Sequence, residues 1–242
     1  MSRSTSRSFV RFACVAASVF LLALNDAGAD AADDPVLLAV FLDQLETRDA
    51  TGDRTFSWAA EAWLGKDLHK IWIKTDGERT AGITDEVELQ LLVSKAIARY
   101  WDIQVGVRHD FRPSPSQTWA AIGIKGLAPY FFDIDAAVYI GASGRSAFRF
   151  EAEIEWLLTQ RLILSPEIEF NAYGQNDANL GIGSGLSDIE AGIRLRYEIR
   201  RQFAPYIGVH WSKLFGNTAD YANLAGMDVS ETQLVIGLRA WF

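Results

Sequence analysis

Sulfur chemistry is almost absent from this chain. Of 242 residues one is cysteine, Cys14, and two are methionine, Met1 and Met227. Cys14 lies in an apolar N-terminal stretch, so the rest of the chain has no disulfide and no thiolate ligand. It does not suit a lipoprotein signal either, because a long apolar run follows it. Histidine is scarce as well, at three residues. No two of His69, His109, His210 and Met227 fall at a spacing that makes a local metal motif. Also missing is an apolar run of the roughly 20 residues that a membrane helix requires. The stretch Phe12 to Leu24 stops at thirteen. Positive charge is in deficit too, with 23 Lys and Arg against 31 Asp and Glu. That balance excludes nucleic acid as a partner, since its affinity comes from basic side chains neutralising phosphates.

The N-terminus is made for export. Arg3, Arg7 and Arg11 precede the short apolar run, and Ala27-Gly28-Ala29 follows it. A basic start, an apolar centre and a small-residue cleavage site predict a secretory signal over residues 1–29. Residues 30–35 then form a short periplasmic segment, and 36–242 a single domain. The mature chain keeps 20 basic and 30 acidic residues.

What the chain has in abundance is alternation. Thr232, Leu234, Ile236, Leu238, Ala240 and Phe242 fall on one side of the last segment. Gln233, Val235, Gly237, Arg239 and Trp241 fall on the other. Strand side chains alternate between faces, so an apolar face ending on Phe is the expected closing strand of an outer-membrane barrel. Period two predicts strands at 36–46, 55–65, 70–79, 86–96, 101–110, 117–126, 130–140, 147–157, 161–173, 187–198, 202–211 and 230–242. A soluble sandwich also alternates, so the connections must decide. Every second one is short (66–69, 97–100, 127–129, 158–160, 199–201), and the rest are generally longer and richer in Gly, Pro, Ser and Asp. Short periplasmic turns opposite longer external loops are the barrel's asymmetry. The fold class expected is all-β: a transmembrane antiparallel β-barrel of about 12 strands, with both termini periplasmic. It would stand in the outer membrane of a Gram-negative bacterium, with lipid as its outer solvent. Trp63, Trp72, Trp101, Trp211 and Trp241, near strand ends, suit an interfacial girdle. Pro166 predicts a bulge or break in the ninth strand.

Assigning the apolar faces to lipid sends charge inward. Asp110, Asp133, Asp135, Glu151, Glu153 and Glu155 are among the acids so placed, and an acidic lumen favours cations. Buried charges ordinarily pair, so a paired, water-filled interior without a ligand is the plainer reading. The register brings His109 and His210 toward the external rim with Met227 in the last external loop, while His69 falls in a periplasmic turn. His109 is on the apolar side of its strand. A lipolytic enzyme is a further alternative, since His210-Trp211-Ser212 superficially resembles the H-x-S of outer-membrane phospholipase A. That family's pattern continues Asn-Gly, whereas Lys213-Leu214 stand here. Nothing in residues 205–216 clearly supplies the third group that orients the base of an activated serine. The chain is accordingly read as no enzyme.

A longer pattern is more specific. RHDFRPSPSQTWAAIGIKGLAPYFFD (108–133), GSGLSDIEAGIRLRYEIRRQFAPYIGV (183–209), WLGKDLHKIWIKTDGE (63–78) and the closing LRAWF together resemble the outer-membrane copper resistance protein B family. The resemblance runs from about Leu38 to Phe242. It implies an outer-membrane barrel that binds copper ions or passes them across the membrane, with periplasmic copper-resistance partners such as a multicopper oxidase. Many members carry a Met- and His-rich arm before the barrel, a soft-ligand site for Cu(I), whereas only Asp30 to Pro35 occupy that place here. Copper ligands then fall to His109, which matches the RHDF stretch, and His210, followed by His69 and Met227. Asp110, Glu151 and Glu153 would assist. A generic cation-permeable or structural barrel without a dedicated copper site is the alternative.

Overall fold

The structure of the protein, a computed structural model, describes residues 35–49 and 54–242. The expected signal over 1–29 and nearly all of the segment 30–35 lie outside the described residues.

Each of the twelve alternating segments forms a strand. In chain order these are β1 (Leu37–Asp49), β2 (Arg54–Gly65), β3 (His69–Thr80), β4 (Ile83–Ala98), β5 (Trp101–Arg112) and β6 (Gln117–Ala128). There follow β7 (Phe132–Gly141), β8 (Ser146–Ile154), β9 (Leu162–Tyr173), β10 (Gly185–Tyr197), β11 (Phe203–Leu214) and β12 (Ser230–Trp241). Each strand pairs antiparallel with the next, and β12 pairs with β1, so the sheet closes without a free edge. Closure matters in lipid, where no water can satisfy an unpaired strand edge.

The two faces of the wall decide between sandwich and membrane barrel. Ile236 and Leu234 are 69% and 67% exposed, while Glu46 and Glu88 are each 1% exposed. A soluble sandwich buries its apolar face; here the apolar face is outside and charge is inside. The same parity runs round the wall, with Ile71, Ile73, Leu91, Val93, Val105 and Val107 all outward.

Four details differ from the sequence reading. Pro166 sits in an unbroken β9, in even register opposite Ile193. The break falls on its other neighbour: β8 lapses at Glu155 and resumes as Trp156–Leu157 in the same register. Proline has no N–H to give, and the ladder lapses where that donor is missing. Second, the loop expected at 80–85 is the two-residue turn Ala81-Gly82, with φ of 50° and 88°. Positive φ at both positions is the hairpin turn that matches strand twist, and Gly82 adopts it freely. Length asymmetry is therefore concentrated in the last two connections on that end of the barrel. Third, one of those connections contains a helix, α1 (Gly216–Ala225), capped by Gly226 at φ 72°. Its Thr218 and Ala222, one turn apart, form the buried side. The Thr218 hydroxyl accepts from the Gly183 N–H at 2.8 Å and meets the Ser187 hydroxyl at 3.0 Å, tying helix to wall. Fourth, Trp63 and Trp72 line the lumen rather than a girdle. Ile71 and Ile73 take the lipid side, so period two turns Trp72 inward, where its Nε1 donates to Ser94 at 2.9 Å.

Candidate functional site in the barrel lumen

A cavity of about 590 Å³ runs along the barrel axis. At the short-turn end it touches Phe41, Asp133 and Arg239; at the long-loop end it touches Asp188 and Leu214. Thirteen carboxylates and seven Lys or Arg line it. All six acids expected inside lie on the inward parity, and Asp133, Asp135, Glu151 and Glu153 line the cavity itself.

Ion pairs cross the lumen between strands that are not neighbours. Lys125 of β6 reaches Glu61 of β2 at 2.6 Å, and Lys74 of β3 reaches Asp135 of β7 at 2.5 Å. Arg149 of β8 reaches Glu88 of β4 at 3.0 Å, and Arg239 of β12 reaches Glu153 of β8 at 3.0 Å. Gln44 of β1 donates to Glu167 of β9 at 3.1 Å. These struts span the lumen about four strands apart, so the interior is crossed by side chains and is no wide aqueous pore.

Two knots anchor the struts. Glu46 accepts from Arg48 Nε at 2.7 Å, Arg194 Nε at 2.9 Å and the Tyr206 hydroxyl at 2.8 Å. Tyr206 lies where a Cβ on Gly237 would collide with its ring, so the glycine makes that knot fit. The second knot centres on Glu88, with Arg108 at 2.8 Å and Arg149 at 3.0 Å. Arg108 also pairs with Asp110 at 2.7 Å, and Trp119 Nε1 donates to Asp110 at 2.8 Å. An aromatic face holds two further cations: Lys74 and Lys125 stand 5.9 and 5.3 Å from the Trp72 ring centre. Each of these two lysines is thus fixed twice, once by charge and once by a ring.

The acids are in surplus. Glu155 is bound by Arg196 at 2.6 Å and by Arg239 at 3.2 Å. In contrast, Asp76, Glu86, Asp133 and Glu151 face the cavity with no hydrogen bond or ion pair among the described residues. Glu86 is weakly marked in the sequence, because its position begins a segment. Its alternation with Glu88 across Val87 was the available signal.

The sequence-chosen soft ligands are scattered. His210, 3% exposed, is set into the inner wall of β11. Its Nε2 lies 3.2 Å from Arg48 Nη1 and 3.3 Å from Glu190 Oε2. A guanidinium can only donate, so that contact occupies the nitrogen lone pair a metal would need. His109 is on the outer side of β5, its Nδ1 2.7 Å from the Thr118 hydroxyl and its ring edge-on to Phe111. The two histidines are therefore on opposite sides of the wall. His69 begins β3 at the short-turn end, and Met227 is exposed after α1. Among the described residues, no group of three or more His, Cys, Asp or Glu is arranged to hold a metal ion. His210 and Ser212 share the inward parity of β11 without a hydrogen bond between their side chains.

A closed barrel with lipid-facing aliphatics and a laced, acidic interior is an outer-membrane β-barrel. The NanC porin has the same type of fold, with a TM-score of 0.54 at 12% identity over 84% of this chain and 99% of that one. Residues 36–242 match the family described as copper resistance protein B precursor (CopB). Copper resistance protein B of Escherichia coli is 45% identical over 210 residues, covering 87% of this chain and 71% of its own. A copper resistance protein B homolog of Pseudomonas syringae pv. tomato is 47% identical over 200 residues, covering 83% and 68%. The chain belongs to the copper resistance protein B family.

Proposed function

We propose that this barrel serves copper tolerance by drawing hydrated Cu(II) into its lumen and passing it across the outer membrane. Copper is the substrate here, not a resident cofactor. The observation that carries the reading is the set of unpaired carboxylates, Asp76, Glu86, Asp133 and Glu151, spaced along a cavity that reaches both ends. Carboxylates attract a hydrated divalent cation, whereas Cu(I) selects thiolate and thioether. Met227, the chain's one methionine beyond Met1, lies outside that cavity. Scattered histidines fit transit better than storage, because a pathway must bind weakly enough to release. The protein works without chemistry of its own. Its signal is residues 1–29, both barrel termini face the periplasm, and a periplasmic multicopper oxidase is the class of partner that would meet the same ion.

Deleting the protein is expected to raise sensitivity to copper while leaving detergent and zinc tolerance unchanged, read as growth inhibition. Equal sensitisation to all three would mean a general envelope defect and would sink the reading. Complementation separates ligand histidines from lumen carboxylates. The His109→Ala and His210→Ala double variant is expected to restore tolerance. A variant with Asp76→Asn, Glu86→Gln and Glu151→Gln is expected to fail.

A further inference from the structure

A second hollow, of about 580 Å³, lies on the outer wall at the short-turn end, apart from the lumen. Its floor is made by Leu64, Ile71, Val93 and Val105, all side chains of the lipid-facing parity or its edge. One end is different in character, with Lys66, His69 and Lys95. Backbone register brings these three together. His69 and Lys95 are direct cross-strand partners of β3 and β4 on the outward side. The Lys66 N–H donates to the His69 carbonyl at 2.9 Å, closing the turn, and the Ala96 N–H donates to the Leu68 carbonyl at 3.0 Å. Lys70, the neighbouring cation, is already committed to Asp102 at 3.3 Å and to the Trp63 ring. Lys95 has no such acid within ion-pair distance among the described residues.

We propose that this hollow is a binding site for one anionic phospholipid, with an acyl chain on the aliphatic floor and the phosphate at Lys66, His69 and Lys95. Two facts favour a lipid over a protein partner. The floor faces the hydrocarbon that surrounds any membrane barrel, so an acyl chain reaches it without leaving the bilayer. The cations stand at one end only, at the strand termini where headgroups lie, and basic residues there attract anionic lipid. His69 thereby gains a role that does not require copper.

The test uses the purified full-length protein in detergent and native mass spectrometry to count retained lipids. Phosphatidylglycerol and phosphatidylcholine are the two probes. Wild type is expected to retain phosphatidylglycerol preferentially, and Lys66→Gln with Lys95→Gln to weaken that retention roughly tenfold. Val93→Trp, which fills the floor and keeps its outward parity, is expected to weaken it as well. Lys95→Gln alone serves if the double variant fails to close, as judged by the heat-dependent gel shift of folded barrels. Equal retention of the two lipids, or full retention by the variants, would overturn the proposal. Competition by soluble glycerol phosphate would overturn it too, since it would mark a free-phosphate site.

Discussion

Glu46→Gln is expected to cost about 3–5 kcal/mol of barrel stability, the order found when one partner of a buried charge cluster is removed. Glu46 is 1% exposed and its carboxylate is shared by Arg48, Arg194 and Tyr206. Neutralising it removes the acid that both guanidiniums share at a nearly dry site, leaving Arg194 with Glu167 at 2.6 Å and Arg48 with only Glu78 at 3.6 Å. Glu153→Gln supplies the contrast. It also meets an arginine, Arg239 at 3.0 Å, but that arginine keeps Asp43 at 3.2 Å and Glu155 at 3.2 Å. Its side chain is 23% exposed, and a partly hydrated pair with substitutes is worth about 1 kcal/mol or less. Urea unfolding in lipid vesicles, followed by tryptophan fluorescence, measures both. Equal losses would mean that Glu46 is no keystone.

The triple variant Asp76→Asn, Glu86→Gln, Glu151→Gln should lose most of the barrel's preference for cations. Each carboxylate in a water-filled passage attracts a passing unit charge by about 1 kcal/mol at 4 Å. Because the three are spaced along the cavity, each removal acts at its own position, at about fivefold in local cation concentration there. Because these side chains hold no partner, their amides leave no stranded cation, and the fold should tolerate the change. Reversal potentials across a planar bilayer under a salt gradient give the selectivity. A variant as cation-selective as wild type would shift the pathway away from this surface.

Strand number and facing were legible in the sequence, and the reason is local. Period two assigns a side chain to lipid or lumen from its immediate neighbours, so Leu234 and Arg239 were sorted before any pairing was known. What crosses the lumen was not legible. That Lys125 meets Glu61, and Arg149 meets Glu88, depends on barrel closure, which brings together residues more than sixty positions apart. The same limit hid the fate of His210, whose lone pair is taken by an arginine from a strand 162 positions away. Trp72 stands near a strand end, yet parity, not that position, decides its side of the wall. The helix α1 leaves little periodic signal because only Thr218 and Ala222 are buried, and its anchor, Thr218, finds partners on β10 and the preceding connection. Pro166 does mark a ladder defect, but the defect falls on the neighbouring strand and not on its own.

The most direct measurement is copper entry into sealed vesicles. Wild-type protein is reconstituted into liposomes loaded with a Cu(II)-quenched dye, and external Cu(II) is added. Quenching faster than in protein-free vesicles, abolished in the Asp76, Glu86 and Glu151 triple variant, is the result expected. Quenching at the protein-free rate, or at one rate for wild type and variant, would contradict a carboxylate-guided copper passage.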